Sequence, residues 1–132
     1  MDFPRIPPAD PILREIPLID KPLHKHLQVF ATDAPGPGGA NHEYAIFFET
    51  EKTRDFKTIS FQKGGVNEVG LNGVSDEALL AILIDRAEHF SAGPFSSEHG
   101  NAALFNMREA LECLRRRYED RAARGVEGFS KA

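Results

Sequence analysis

Ser75–Gly125 reads SDEALLAILIDRAEHFSAGPFSSEHGNAALFNMREALECLRRRYEDRAARG, and this stretch decides the architecture. Ser75 can accept a hydrogen bond from an orphan amide at a helix start, and Asp76 and Glu77 favour the positive end of a helix. Leu79, Leu80, Ile82, Leu83, Ala87 and Phe90 follow at helical spacing. Gly93-Pro94 ends that helix, a glycine stop followed by a residue that cannot continue it. Ser96 or Ser97 opens a second helix. Its apolar stripe, Leu104, Met107, Leu111, Leu114 and Tyr118, advances in alternating steps of three and four, the spacing of a coiled-coil seam. The second helix is predicted to run to Arg124 and stop at Gly125. Two helices joined by a short loop make a helical hairpin.

Upstream the period changes from helical to alternating. Leu27, Val29 and Ala31 alternate with Gln28 and Phe30, and Tyr44, Ile46 and Phe48 alternate in the next run. Thr58 to Phe61, with Ile59 and Phe61 on one face, is a third strand. Ala34 to Asn41 is a loop by composition, and Thr50 to Asp55 is a polar turn. These lengths suit an antiparallel meander. Gly64 to Gly73 is rich in glycine and marks a crossing where backbone approaches backbone, or a tight reversal. It lacks the Gly-Lys-Ser/Thr ending of a phosphate-binding loop. Before His26 lie Pro4, Pro7, Pro8, Pro11, Pro17 and Pro22. Proline fixes φ and removes a donor, so residues 1–25 read as an extended arm without a helix or central strand. The arm carries Phe3, Ile6, Ile12, Leu13, Ile16, Leu18 and Ile19, too apolar for a pure linker. The expected fold is therefore α+β: a proline-rich arm (1–25), then a single domain (26–132) of about three antiparallel strands (26–74) and a two-helix hairpin (75–128).

Composition narrows the function classes. The chain has 132 residues, 41% hydrophobic and 27% charged, which suits one ordinary domain. Its longest uncharged apolar run, Ala78 to Ile84, is far short of the ~20 residues that span a bilayer. Met1 to Pro4 does not resemble the start of a signal peptide, and one cysteine, Cys113, cannot close an internal disulfide, so a reducing cytosol is expected. The net charge of −4 argues against a general nucleic-acid coat. Its distribution is uneven: residues 1–100 carry −6 and residues 101–132 carry +2. Six arginines lie in that last segment: Arg108, Arg115, Arg116, Arg117, Arg121 and Arg124. This points to a local anion site or a network of ion pairs.

The search for catalytic chemistry finds little. Cys113 sits one residue before the stripe residue Leu114 and reads as a structural thiol. The serines cluster at helix starts, where capping accounts for them. His24 and His26 lack a nearby third ligand, so no metal site is expected. His89 and His99 flank the hairpin loop as polar contacts. The expectation is a binding protein with no cofactor, and not an enzyme. Arg117, Arg121 and Arg124 share one face of the last helix, and a guanidinium grips phosphate bidentately. The alternative is ion pairing with Glu112, Glu119, Asp120 and Glu127. The hairpin loop offers Phe90, Phe95, Ser96, Ser97 and Asn101: aromatic faces for stacking, and hydroxyls beside a helix N-terminus. The alternative there is that both phenylalanines cap the hairpin core.

Residues 59–98, ISFQKGGVNEVGLNGVSDEALLAILIDRAEHFSAGPFSSE, and residues 114–128, LRRRYEDRAARGVEG, resemble the first Thoeris anti-defence family of phage proteins. The signature is the combination of FQ-x-G, NG-x-S/T-x-E-x-LL, F-x-AGPF and R-x-x-x-R-x-x-RGVEG. The similarity runs from about Leu27 to Gly128, and the hairpin is also similar to a phage anti-CBASS sponge for cyclic nucleotides. The resemblance implies a homo-oligomer, dimer or hexamer, in the cytoplasm of an infected bacterium. It implies sequestration, without cleavage, of the cyclic ADP-ribose isomer made by TIR proteins, with cyclic di- or trinucleotides as further ligands. It places the stacking phenylalanine on Phe90 and the phosphate contacts on Arg117 and Arg121. The family's asparagine at the start of the second helix falls on Gly100, a departure, with Asn101 beside it. Protein interaction through the hairpin is the competing reading.

Overall fold

A computed structural model of the chain describes residues 13–132. It is α+β, with strands β1 (Arg14–Ile16), β2 (Leu27–Ala31), β3 (Glu43–Glu49) and β4 (Arg54–Ser60), and helices α1 (Val66–Val69), α2 (Asp76–Ala92) and α3 (Glu98–Ala123). The chain divides into two compact units. One comprises the residues up to Gly64 together with Leu71–Gly73, and the other Gly65–Gly70 and Val74–Ala132.

The first unit is a four-stranded antiparallel sheet in the order β1-β2-β3-β4. It has one strand more than the sequence predicts, and the extra strand comes from the proline-rich arm. Leu13–Ile16 lies between Pro11 and Pro17 and contains no proline, so its amides can join a ladder. Arg14 pairs with Ala31 and Ile16 with Val29 at the sheet edge, where flanking prolines are tolerated. The arm also holds a 3-10 turn, Pro22–His26, opened by proline at its first position, where no amide is needed. Residues 1–12 of the arm lie outside the described residues.

The meander from β2 to β4 follows the alternation read from sequence, with two corrections. Strand β4 begins at Arg54, before the predicted Thr58, because a four-residue turn closes at Thr50–Thr53. There the Thr50 amide donates to the Thr53 carbonyl at 2.8 Å, and the Thr53 amide donates to Thr50 Oγ1 at 3.1 Å. The second correction concerns the faces. Phe30 and Gln28 are buried on the face opposite Leu27 and Val29. Phe30 lies edge-on to Phe47, with ring centroids 5.9 Å apart, and Phe47 meets Phe56 at 5.5 Å. An aromatic row thus crosses β2, β3 and β4. The β2–β3 loop is tied by Asp33, whose carboxylate accepts from the His42 amide at 3.1 Å, and by Asn41, which donates to the Asp33 carbonyl.

The second unit contains the hairpin. Ser75 accepts from the Ala78 amide and Ser97 from the Gly100 amide, so both predicted caps are made. Helix α2 ends before Gly93, and Arg124 closes α3 with Gly125 at φ 73°, as the sequence predicts. Leu104 is the buried member of the α3 seam. On α2 the buried residue is Ile84, while Ile82 and Leu83 of the predicted stripe are largely exposed. The face bearing Leu80, Ile84 and Ala87 is the less exposed one, and Leu83 and Phe90 form a second apolar stripe on its outside.

The short helix α1 has no counterpart in the sequence reading, and it explains part of the glycine-rich stretch. Its N-terminal neighbour Gly65 lies against the Gly128 carbonyl so closely that a Cβ would collide with it. The Asn67 amide donates to that carbonyl at 2.9 Å. Gly128 itself has φ 79° and faces Asn67. This is the approach of backbone to backbone that the glycines announce.

Candidate functional site

The hairpin turn brings Phe90, Phe95, Ser96 and Ser97 around a groove of about 280 Å³. Phe90 is 52% exposed and Phe95 80% exposed. Neither ring caps a core, so the capping alternative fails for both. The Arg86 guanidinium lies over the Phe90 ring, 5.7 Å from its centroid. Sequence reading passed over Arg86, although its position four residues before Phe90 on one helix was the available signal. Ser97 Oγ accepts the Gly100 amide at 3.0 Å and keeps its hydroxyl proton to donate. Gly100 lines this groove; Asn101 is not among the lining residues, and its amide donates to the Ser97 carbonyl at 2.9 Å.

The arginine face does not act as one unit. Arg117 lines a second groove of about 560 Å³ with Leu111, Leu114, Tyr118, Glu77 and Glu127. Among the described residues it has no ion pair. Arg121 has a different occupation. It is 12% exposed, and Nη2 donates to the Val126 carbonyl at 3.0 Å and the Phe129 carbonyl at 2.8 Å. Nη1 donates to the Lys131 carbonyl at 2.7 Å, and Nε reaches Glu127 at 3.3 Å. Arg124 donates to Asp120 at 3.0 Å and to the Ala132 carbonyl at 2.9 Å. Arg121 and Arg124 therefore fasten the C-terminal segment to the end of α3.

The remaining arginines follow the ion-pair alternative. Arg115 bridges Glu112 and Glu119, and Arg116 approaches Glu112 at 3.6 Å. The hydrogen bond from Arg115 holds the Glu112 carboxyl below its ordinary range. Arg108 meets Glu88 at 3.3 Å across the hairpin. Among the described residues no group of three or more His, Cys, Asp or Glu could hold a metal ion. No helix among them is long and apolar enough to cross a membrane.

The two grooves lie towards opposite ends of α3. Gly100 and Arg117 are seventeen residues apart, about 26 Å along the axis at ~1.5 Å per residue. One small ligand cannot touch both within one chain.

An α+β chain with an antiparallel sheet, a long helical hairpin, an aromatic turn and an arginine-bearing last helix defines the class. Over 116 residues the chain is 33% identical to "Thoeris anti-defense 1" of Bacillus phage SBSphiJ7, covering 85% of this chain and 70% of that protein. No protein-family model matches the chain. The chain belongs to the Thoeris anti-defence family.

Proposed function

We propose that this protein counters Thoeris defence as a sponge, holding a cyclic ADP-ribose-type signal made by TIR proteins without cleaving it. The observation that carries the reading is the open aromatic groove at the hairpin turn, with Phe90 exposed and Arg86 on its ring. Its size and lining suit an adenine that stacks on Phe90, with the Ser96 and Ser97 hydroxyls on a ribose. Arg117 supplies the bidentate donor for a pyrophosphate. Because Arg117 lies about 26 Å along α3 from that groove, it serves the groove of a second copy whose last helix runs antiparallel. The site is thus completed by a homo-oligomer. The outer stripe of α2 and the exposed Phe105 and Tyr118 of α3 supply apolar surface for this association.

In this reading Arg121 and Arg124 support the site rather than grip the ligand. They hold the C-terminal segment, and with it Glu127, beside the Arg117 groove. A sponge must out-compete an effector, so nanomolar affinity, about −12 kcal/mol, is the relevant scale. Stacking and charge-assisted contacts in a site closed by two chains reach that scale, whereas an open surface arginine does not.

The test is isothermal titration with the cyclic ADP-ribose isomers, followed by chromatography of the ligand released by heat. Tight binding and recovery of intact ligand are expected. A hydrolysed product would overturn sequestration without cleavage. No heat with any isomer, but heat with cyclic di- or trinucleotides, would transfer the protein to the cyclic-oligonucleotide class.

A further inference from the structure

Arg86 is the one arginine of α2, and its surroundings differ from those of most arginines on α3. Among the described residues it forms no ion pair. The sequence explains why. Its helix neighbours three and four residues away are Ile82, Leu83, His89 and Phe90, none of them a carboxylate. The acids beside it in the chain are engaged elsewhere: Asp85 lies 3.7 Å from His89, and Glu88 lies 3.3 Å from Arg108. With no acid at those positions, the guanidinium settles on the Phe90 ring, 5.7 Å from its centroid, where the negative π face attracts it.

The place of that cation relative to the groove decides its effect. Phe90, Phe95, Ser96 and Ser97 line the groove, and Arg86 does not. The guanidinium therefore occupies ring surface outside the groove. A base that stacks from the groove meets Phe90 from another side, so cation and base share one π system. A ring already polarised by one cation has less negative charge to offer a second. A neutral purine still stacks on it by dispersion. A base that carries a positive charge is repelled by a guanidinium roughly 9 Å away, in a groove from which the ligand has displaced water.

We propose that Arg86 sets the charge selectivity of the aromatic groove: it holds Phe90 as the stacking wall, admits neutral purines and rejects cationic rings, such as pyridinium or purines alkylated at N1. This rests on the reading of the groove as an adenine site. Arg86 is a positioning residue, because it acts through Phe90 and not on the phosphates of the ligand. Nucleotides with neutral and with cationic bases offer the same phosphates to Arg117, so the selectivity resides in the base alone.

Two isomeric nucleotides isolate that charge. The base of 1-methyl-AMP is cationic at neutral pH, and the base of N6-methyl-AMP is neutral there. Titration of the full chain with each, followed by NMR, gives a ratio of affinities. Wild type is expected to favour N6-methyl-AMP. Arg86→Gln is expected to reduce that preference about threefold, the scale of an exposed cation–π contact. Arg86→Lys keeps the cation and is expected to keep the preference. Each ratio compares two ligands on one variant, so a general loss of ring order cancels. An unchanged ratio in Arg86→Gln, or a lysine variant that matches the glutamine one, would overturn the inference and leave the groove standing as an adenine site. Phe90→Leu tests that underlying reading separately. If it weakens neither nucleotide, or if neither binds wild type, no base stacks there and both readings fall.

Discussion

Arg117 and Arg121 look equivalent in the sequence, one helical turn apart, and the structure gives them different tasks. Arg117 has no ion-pair partner among the described residues, whereas Arg121 reaches three main-chain carbonyls and Glu127. Those carbonyls belong to Val126, Phe129 and Lys131, whose folding back no periodicity announces, so the role of Arg121 was not legible. The face shared by the two arginines was. Hydrogen bonds to a charged group are each worth about 1.5–3 kcal/mol, and a partly buried guanidinium retains much of that. Arg121→Ala is therefore expected to lower unfolding stability in urea by about 1.5–3 kcal/mol and to expose the segment after Gly125 to proteases. Arg117→Ala is expected to stay within about 0.5 kcal/mol of wild type, as surface changes do. Under the proposed function its affinity for a cyclic ADP-ribose isomer is expected to fall more than tenfold, beyond ~1.4 kcal/mol. Equal unfolding curves for the two variants would refute this division.

At the scale of elements, the helices were the legible part. Ser75, Ser97, Gly93-Pro94 and Gly125 are local signals, and each acts within a turn of where it stands. The strands were legible as alternation, but alternation does not say which face is buried when both carry apolar residues. Phe30 and Ala31 are adjacent, and both are fully buried. Strand β1 was hidden because its residues pair only through a partner thirteen or more positions away. The last turn of α2 carries a titratable group whose position tunes it. His89 Nδ1 lies 2.7 Å from the Asp85 carbonyl and 3.7 Å from its carboxylate. The hydrogen bond to that carbonyl, then the Asp85 and Glu88 charges, raise the His89 pKa above 6.5 against a smaller desolvation. A cation there also suits the negative end of the helix. A raised folded value means that His89 adds stability fully below its unfolded pKa of about 6.5. That contribution fades as pH climbs through the folded value. An NMR titration of the His89 ring is expected to give a midpoint above 6.5, and Asp85→Asn is expected to lower it; a midpoint at or below 6.5 in wild type would contradict the contact.

At the scale of the whole molecule, a helical hairpin this long buries little. Ile84 and Leu104 are the buried residues of α2 and α3, while Ile82, Leu83, Phe105 and Tyr118 remain open. In the proposed dimer two copies lie antiparallel, and Arg117, which has no ion pair among the described residues, is lent by each copy to the other's Phe90 groove. Such a dimer has two equivalent sites by symmetry. The arrangement makes a prediction that no single-chain site shares. A Phe90→Ala chain and an Arg117→Ala chain should each fail to bind a cyclic ADP-ribose isomer. Unfolded together and refolded at equal amounts, they form heterodimers in which one site has lost both residues and the other keeps both. Random pairing makes about half of the dimers mixed, so about one quarter of the sites should recover wild-type affinity. Titration calorimetry reads that fraction as stoichiometry, with the affinity unchanged. If the ligand instead sat within one chain, every chain in the mixture would carry a defect and no binding would return.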